Sequence, residues 1–139
     1  MRFEELNLAP QILQALTACG YDKPTPIQAQ TIPALLEGRD VIGSAQTGTG
    51  KTAAFVLPAL HRIAAQPNAR VGQHRMSSVP RVLVLAPTRE LAQQVAEQAV
   101  RYSQGLRVRT VCLSGGAPSP VQTARCSAAS TCWSQRRDG

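Results

Sequence analysis

The stretch Ala45-Gln46-Thr47-Gly48-Thr49-Gly50-Lys51-Thr52 constrains this chain more than any other. An apolar segment leads into it and an amphipathic, helix-forming segment leads out. Glycine accepts positive φ at little cost, so Gly48 and Gly50 let the backbone curl until several N–H groups converge. A helix that starts at the end of such a turn adds unpaired N–H groups and the positive end of its dipole. A loop of this kind cradles phosphate oxygens. Lys51 is placed to reach the β- and γ-phosphates, and the Thr52 hydroxyl to ligate Mg²⁺. The general pattern opens on Gly where this chain has Ala45, but the strand–turn–helix context favours phosphate binding over a chance glycine turn.

The rest of the chain fits that start. Residues 9–19 place Ile12, Leu13, Leu16 and Cys19 at helical spacing, and Gly20 suits the stop. Thr25 is a natural N-cap, Pro26 fits the first helical position, and a helix runs from there to about Glu37, closed by Gly38. Residues 40–45 read as a short buried strand, and Lys51 to Ala65 as a helix. Residues 66–80 carry polar side chains and Pro at either end of the stretch, the signature of a surface loop. Arg81–Ala86 is an apolar strand, Pro87-Thr88 opens a helix through about Gln104, and a third strand runs from Arg107 to the Gly115-Gly116 pair. Strands alternating with helices predict an α/β fold with a parallel sheet and right-handed crossovers.

Composition narrows the partners. Lys+Arg number 15 against 8 Asp+Glu, for a formal charge of +7, and only Lys23 and Lys51 are lysines. Guanidinium groups match phosphate oxygens, although a merely basic surface has the same arithmetic. No stretch reaches the roughly 20 apolar residues of a membrane helix, which points to a cytoplasmic protein without a membrane partner. The 4 cysteines form no CxxC pair, so neither a zinc site nor a disulfide framework is expected. His61 and His74 fit no motif. The oligomeric state is not legible.

Three further stretches carry chemistry. An amide can pair bidentately with adenine, so Gln28 is a candidate reader of the base of ATP; it is equally placed to close a capping box with Thr25. Pro87-Thr88-Arg89 and Gly116 fall at strand ends, where open α/β sheets bind ligands. Taken in order, GYDKPTPIQ, AQTGTGKT, PTRELA and GG resemble the DEAD-box ATP-dependent RNA helicases, most closely the bacterial RhlE-type members, over residues 1 to about 122. The resemblance implies an incomplete RecA-like P-loop domain: a Q-motif region at 1–38, the partial domain at 39–122 and an aberrant tail at 123–139. It implies that Tyr21, Thr25 and Gln28 recognise adenine and that Phe3 packs on the base. It makes Ala45, Gln46, Thr47, Gly48, Thr49, Gly50, Lys51 and Thr52 the binding loop for ATP and Mg²⁺, and puts Pro87, Thr88, Arg89 and Gly116 along an RNA backbone. The Asp-Glu-Ala-Asp, Ser-Ala-Thr and second-domain motifs of that family do not occur in these residues, so the expectation is binding without turnover. The rivals are a non-enzymatic ATP- or RNA-binding module and another P-loop enzyme such as a small kinase; PTRELA and the Q-type motif argue against the kinase.

Residues 123–139, TARCSAASTCWSQRRDG, break the pattern, with no periodicity and little aliphatic content. They read either as a C-terminal tail or as the product of a shifted frame. Permitted codons for residues 124–139, taken one base earlier, give ALQRGVDVLVATPGR, which resembles the family's next strand and its Thr-Pro-Gly-Arg motif. A single-base deletion near the codons for Val121–Ala124 accounts for that reading. It implies a marginally stable, aggregation-prone chain.

Overall fold

A computed structural model describes residues 1–66, 80–114 and 131–135. The chain divides into two units: Met1–Gln66 with Arg101–Leu106, and Pro67–Val100 with Arg107–Gly139. In the first, a short 3-10 turn at Phe3–Leu6 precedes α1 (Pro10–Ala18), α2 (Pro26–Leu36) and α3 (Lys51–Ala65). α1 and α2 both begin on proline, whose missing N–H costs nothing at a helix start. Both end the same way. Gly20 (φ +76°) and Gly38 (φ +85°) adopt the left-handed conformation after the last turn. Tyr21 N–H then donates back to Leu16 O at 3.0 Å, and Arg39 N–H to Ala34 O at 3.0 Å. These are Schellman closures, which satisfy carbonyls that the helices would otherwise leave open. Ile12 and Leu16 of α1, Ile32 of α2, and Val56 and Leu57 of α3 are fully buried, and α2 packs on α3. Each such side chain contributes roughly 1.5–3 kcal/mol by leaving water.

The second unit holds β1 (Val82–Ala86), most of α4 (Arg89–Tyr102), β2 (Thr110–Leu113) and β3 (Thr131–Gln135). The strand order is β1-β3-β2, and β3 pairs parallel with both neighbours. Ala92, Val95 and Ala99 form the buried stripe of α4 at helical spacing. β1 alternates, with Leu83 and Leu85 at 62% and 67% exposure and Ala86 buried. No helix among the described residues is long and apolar enough to cross a membrane.

Two expectations need correction. Residues 40–45 form no strand, and the segment is exposed, with Ile42 fully so. Strand conformation needs a neighbour to take its N–H and C=O groups, and among the described residues no strand pairs with this run. Hydrophobicity alone does not supply that partner. The reverse holds at Thr131–Gln135. No pattern there predicts structure, yet it is the middle strand, because backbone pairing on two sides is available whatever the side chains. Smaller differences are boundary shifts: the third strand starts at Thr110 rather than Arg107, and α4 ends at Tyr102 rather than Gln104. The loop expected at 66–80 lies almost wholly outside the described residues, as does the Gly115-Gly116 pair.

Candidate functional site

The glycine-rich turn sits at the start of α3, and its shape follows from its glycines. Gly48 (φ +81°) and Gly50 (φ +86°) are both left-handed, and Gly50 is the N-cap of α3. A Cβ at Gly50 would collide with the amide nitrogen of Gln28 and come within 3.2 Å of Thr25 Oγ1. Backbone conformation and space therefore both demand glycine there. The turn is tied down from inside. Thr49 Oγ1 donates to Gln46 O at 2.7 Å, and Lys51 Nζ donates to Gln46 O at 2.7 Å and also to Ala45 O. The ammonium group is thus folded back over the carbonyls of its own loop.

Gln28 locks the start of α2 to the start of α3. Its side chain is buried, its Oε1 accepts from Thr25 N–H at 3.0 Å, and its Nε2 donates to Gly50 O at 3.1 Å. The capping role weighed for Gln28 is therefore present, and each end of the amide has a protein partner. Thr25 Oγ1 is buried beside Gly50 without a hydrogen-bond partner. A buried hydroxyl with no acceptor, at a helix start and beside a left-handed turn, is a donor suited to an anion.

The aromatic residues are placed differently from one another. Phe3 lies in the core at 4% exposure, and its ring is not a surface platform. Tyr21 is exposed and meets the buried Tyr102 edge-on, ring centroids 6.3 Å apart at 61°. Burial, with Tyr21 beside it, pushes the Tyr102 hydroxyl up to about 12 from its ordinary 10.0. No sequence pattern singled out Tyr102; its place at the end of the α4 stripe (Ala92, Val95, Ala99) is the signal that marks it as buried.

The second unit carries Pro87, Thr88 and Arg89 on its surface at the end of β1. Thr88 caps α4, its Oγ1 accepting from Leu91 N–H at 3.2 Å. Arg89 lines an open groove of about 700 Å³ with Glu90, Gln93, Arg109, Thr110, Val111, Cys112 and Ser114. Burial raises the Cys112 thiol above its usual range, which keeps it protonated. Thr110 Oγ1 is buried without a hydrogen-bond partner. Arg109 and Thr110 belong to no sequence motif, and only the strand order brings β2 alongside the start of α4. Gly116 lies outside the described residues. The loop residues and the Pro87–Arg89 group belong to separate units.

A family model for DEAD/DEAH box helicases matches residues 25–132. The ATP-dependent RNA helicase SrmB of Haemophilus influenzae is 50% identical over 115 residues, covering 83% of this chain and 25% of that protein. The ATP-dependent RNA helicase DeaD of Klebsiella pneumoniae is 54% identical over 121 residues, covering 86% of this chain and 17% of that protein. The DEAD-box ATP-dependent RNA helicase 30 of Arabidopsis thaliana is 48% identical over 120 residues, again 86% of this chain and 20% of that one. The chain thus spans a quarter or less of the length of these relatives. With its glycine turn, its lysine and its Gln28 lock in the matched region, the chain belongs to the DEAD/DEAH box helicase family.

Proposed function

We propose that this chain is the ATP-binding and RNA-backbone-binding part of a DEAD-box RNA helicase, of RecA-like fold and RhlE type, acting in the cytoplasm, and that it binds without hydrolysing. The observation that carries the reading is the turn at Gly48–Lys51. It is already left-handed at both glycines, its lysine rests on weak carbonyl acceptors, and Thr25 Oγ1 beside it lacks a partner. A triphosphate offers the Lys51 ammonium a charged acceptor in place of those carbonyls, and hydrogen bonds between charged groups are roughly twice as strong as neutral ones. The unpaired N–H groups of the first turn of α3 then hold the remaining oxygens. Thr52 would hold Mg²⁺, which when bound neutralises charge on the phosphates. Tyr21, Thr25 and Gln28 form the adenine side, with Gln28 giving up or sharing its bonds to Thr25 and Gly50. Phe3 reaches the base only if the Phe3–Leu6 turn opens.

The groove beside Arg89 and Arg109 suits a phosphate backbone, with Pro87, Thr88 and Gly116 along the same path. Contacts of that kind carry no sequence preference and weaken with salt. Turnover needs groups that position Mg²⁺ and water and a cation on the leaving charge, and the sequence holds no Asp-Glu-Ala-Asp run to supply them. The second reading, a module that binds ATP or RNA with no helicase context, predicts the same binding in isolation.

The test is titration of the whole chain with a fluorescent ATP analogue, with and without Mg²⁺, alongside Lys51→Ala. Saturable, Mg²⁺-dependent binding that falls on the order of tenfold or more in Lys51→Ala is expected, from loss of a charged hydrogen bond. Equal affinity in the variant would exclude the loop as the site. RNA-stimulated phosphate release should stay at background, and a measurable rate would show that the chain is an enzyme as it stands.

A further inference from the structure

β3 is the place where sequence and fold disagree. Its register sets Thr131 to Gln135 opposite Val82 to Ala86 on one side, and Thr131 to Ser134 opposite Thr110 to Leu113 on the other. A parallel strand flanked on both sides ordinarily reads as a continuous aliphatic run, and even β1, paired on one side only among the described residues, reads Val82-Leu83-Val84-Leu85. Thr-Cys-Trp-Ser-Gln contains no valine, isoleucine or leucine.

The neighbouring reading frame supplies what is missing, in part with no freedom of choice. When each triplet starts one base earlier, its last two bases are the first two of the present codon. At Cys132 the triplet ends in TG and encodes Leu, Met or Val. At Trp133 the preceding base is the last of a cysteine codon, T or C, so the triplet is TTG or CTG, and both encode Leu. At Ser134 the preceding base is the final G of the tryptophan codon, so any TCN serine gives GTC, which is Val. At Gln135 the triplet ends in CA and encodes a small residue or proline. The genetic code therefore fixes Leu opposite Trp133, confines Cys132 to Leu, Met or Val, and gives Val at Ser134 for every TCN codon, which makes an apolar triplet at the centre of the strand. With permitted third bases the shifted frame over residues 125–139 reads ALQRGVDVLVATPGR. Its Asp-Val-Leu-Val-Ala falls on the residues of β3 with no offset, beside the Val-Leu-Val-Leu-Ala of β1.

We propose that residues 125–139 are translated one base out of the frame that encodes the middle strand of this sheet. The place between β1 and β2 is specified by Asp-Val-Leu-Val-Ala, and Thr131–Gln135 occupies it through backbone pairing. Two independent lines meet here: the strand order, which selects this segment, and the code, which makes its alternative reading aliphatic. Neither depends on what the loop at Gly48–Thr52 binds.

Sequencing the coding DNA across codons 115–139 tests the proposal. The expected result is an uninterrupted shifted frame from codon 125 that carries Val-Leu-Val over codons 132–134. An AGY codon for Ser134, which would put Glu in mid-strand, or a stop in the shifted frame, overturns it. A protein measurement gives a second decision. The full chain and a version with residues 125–139 replaced by ALQRGVDVLVATPGR are compared by amide hydrogen exchange at Val82–Ala86 and Thr110–Leu113. Exchange slowed by about tenfold or more in the replaced chain supports the assignment, since sheet amides exchange through local opening. Unchanged or faster exchange contradicts it.

Discussion

At the start of α3 the loop carbonyls of Ala45, Gln46 and Gly50 all accept hydrogen bonds from side chains, and the helices around them bury Ile32, Val56 and Leu57 completely. In the sheet, β1 leaves Leu83 and Leu85 more than half exposed, and the middle strand has no valine, isoleucine or leucine. The two regions thus differ in what holds them. In the first, side-chain packing and backbone pairing reinforce each other. In the second, backbone pairing joins the strands, and among the described residues Leu83 and Leu85 of β1 have little apolar cover. Local opening follows the number of buried apolar contacts, so the sheet is expected to open first and the helical unit last.

Four measurements break or sharpen that contrast. Leu57→Ala, in the helical unit, should cost about 2–5 kcal/mol in urea unfolding, the range for a fully buried leucine. A loss below about 1 kcal/mol would mean that the helical core is not the stable part. Tyr102 provides the next largest effect. Its hydroxyl is held neutral by burial up to about 12, so the fold favours the protonated form. That contribution is complete below pH 10 and disappears as pH rises towards 12, with a slope of at most about 1.4 kcal/mol per pH unit. The thermal midpoint should fall through this window, and Tyr102→Phe should flatten the fall. An equally steep fall in the variant would place the alkaline transition elsewhere.

Gly50→Ala should destabilise by about 1–3 kcal/mol, the cost of a left-handed residue with a side chain, before its clash with Gln28 is counted. Chemical denaturation of the variant measures this; stability equal to that of the parent would show that the turn relaxes freely. Leu85→Ala should change stability least, by less than about 0.5 kcal/mol, because its side chain has little packing to lose. A loss comparable with that of Leu57→Ala would mean that the face of β1 is covered.

The same contrast governs what could be read in advance. α3 was legible to the residue, because Gly50, Lys51 and the run to Ala65 state its start, its spacing and its length. The stops at Gly20 and Gly38 were legible because glycine adopts the left-handed conformation of those closures at least cost. Residues 40–45 were misread, since Val41 and Ile42 carry a strand's composition but a strand also needs a partner, and partners are non-local. β3 was invisible for the opposite reason: its place comes from β1 and β2, not from its own side chains. Of the candidate residues, Gly48, Gly50, Lys51 and Gln28 were singled out by motif and cap chemistry, and the structure gathers them at the start of α3. Tyr102, Arg109 and Thr110 were not, because Tyr102 meets Tyr21, and β2 meets Arg89, only through tertiary packing.

Amide hydrogen exchange on the whole chain, with and without MgATP, tests the loop at the start of α3 directly. Slower exchange at Gly48–Thr52 and in the first turn of α2 around Gln28, with the amides of β1 unchanged, is the expected result. Protection confined to β1 and β2, or no change at Gly48–Thr52 at saturating MgATP, would contradict it.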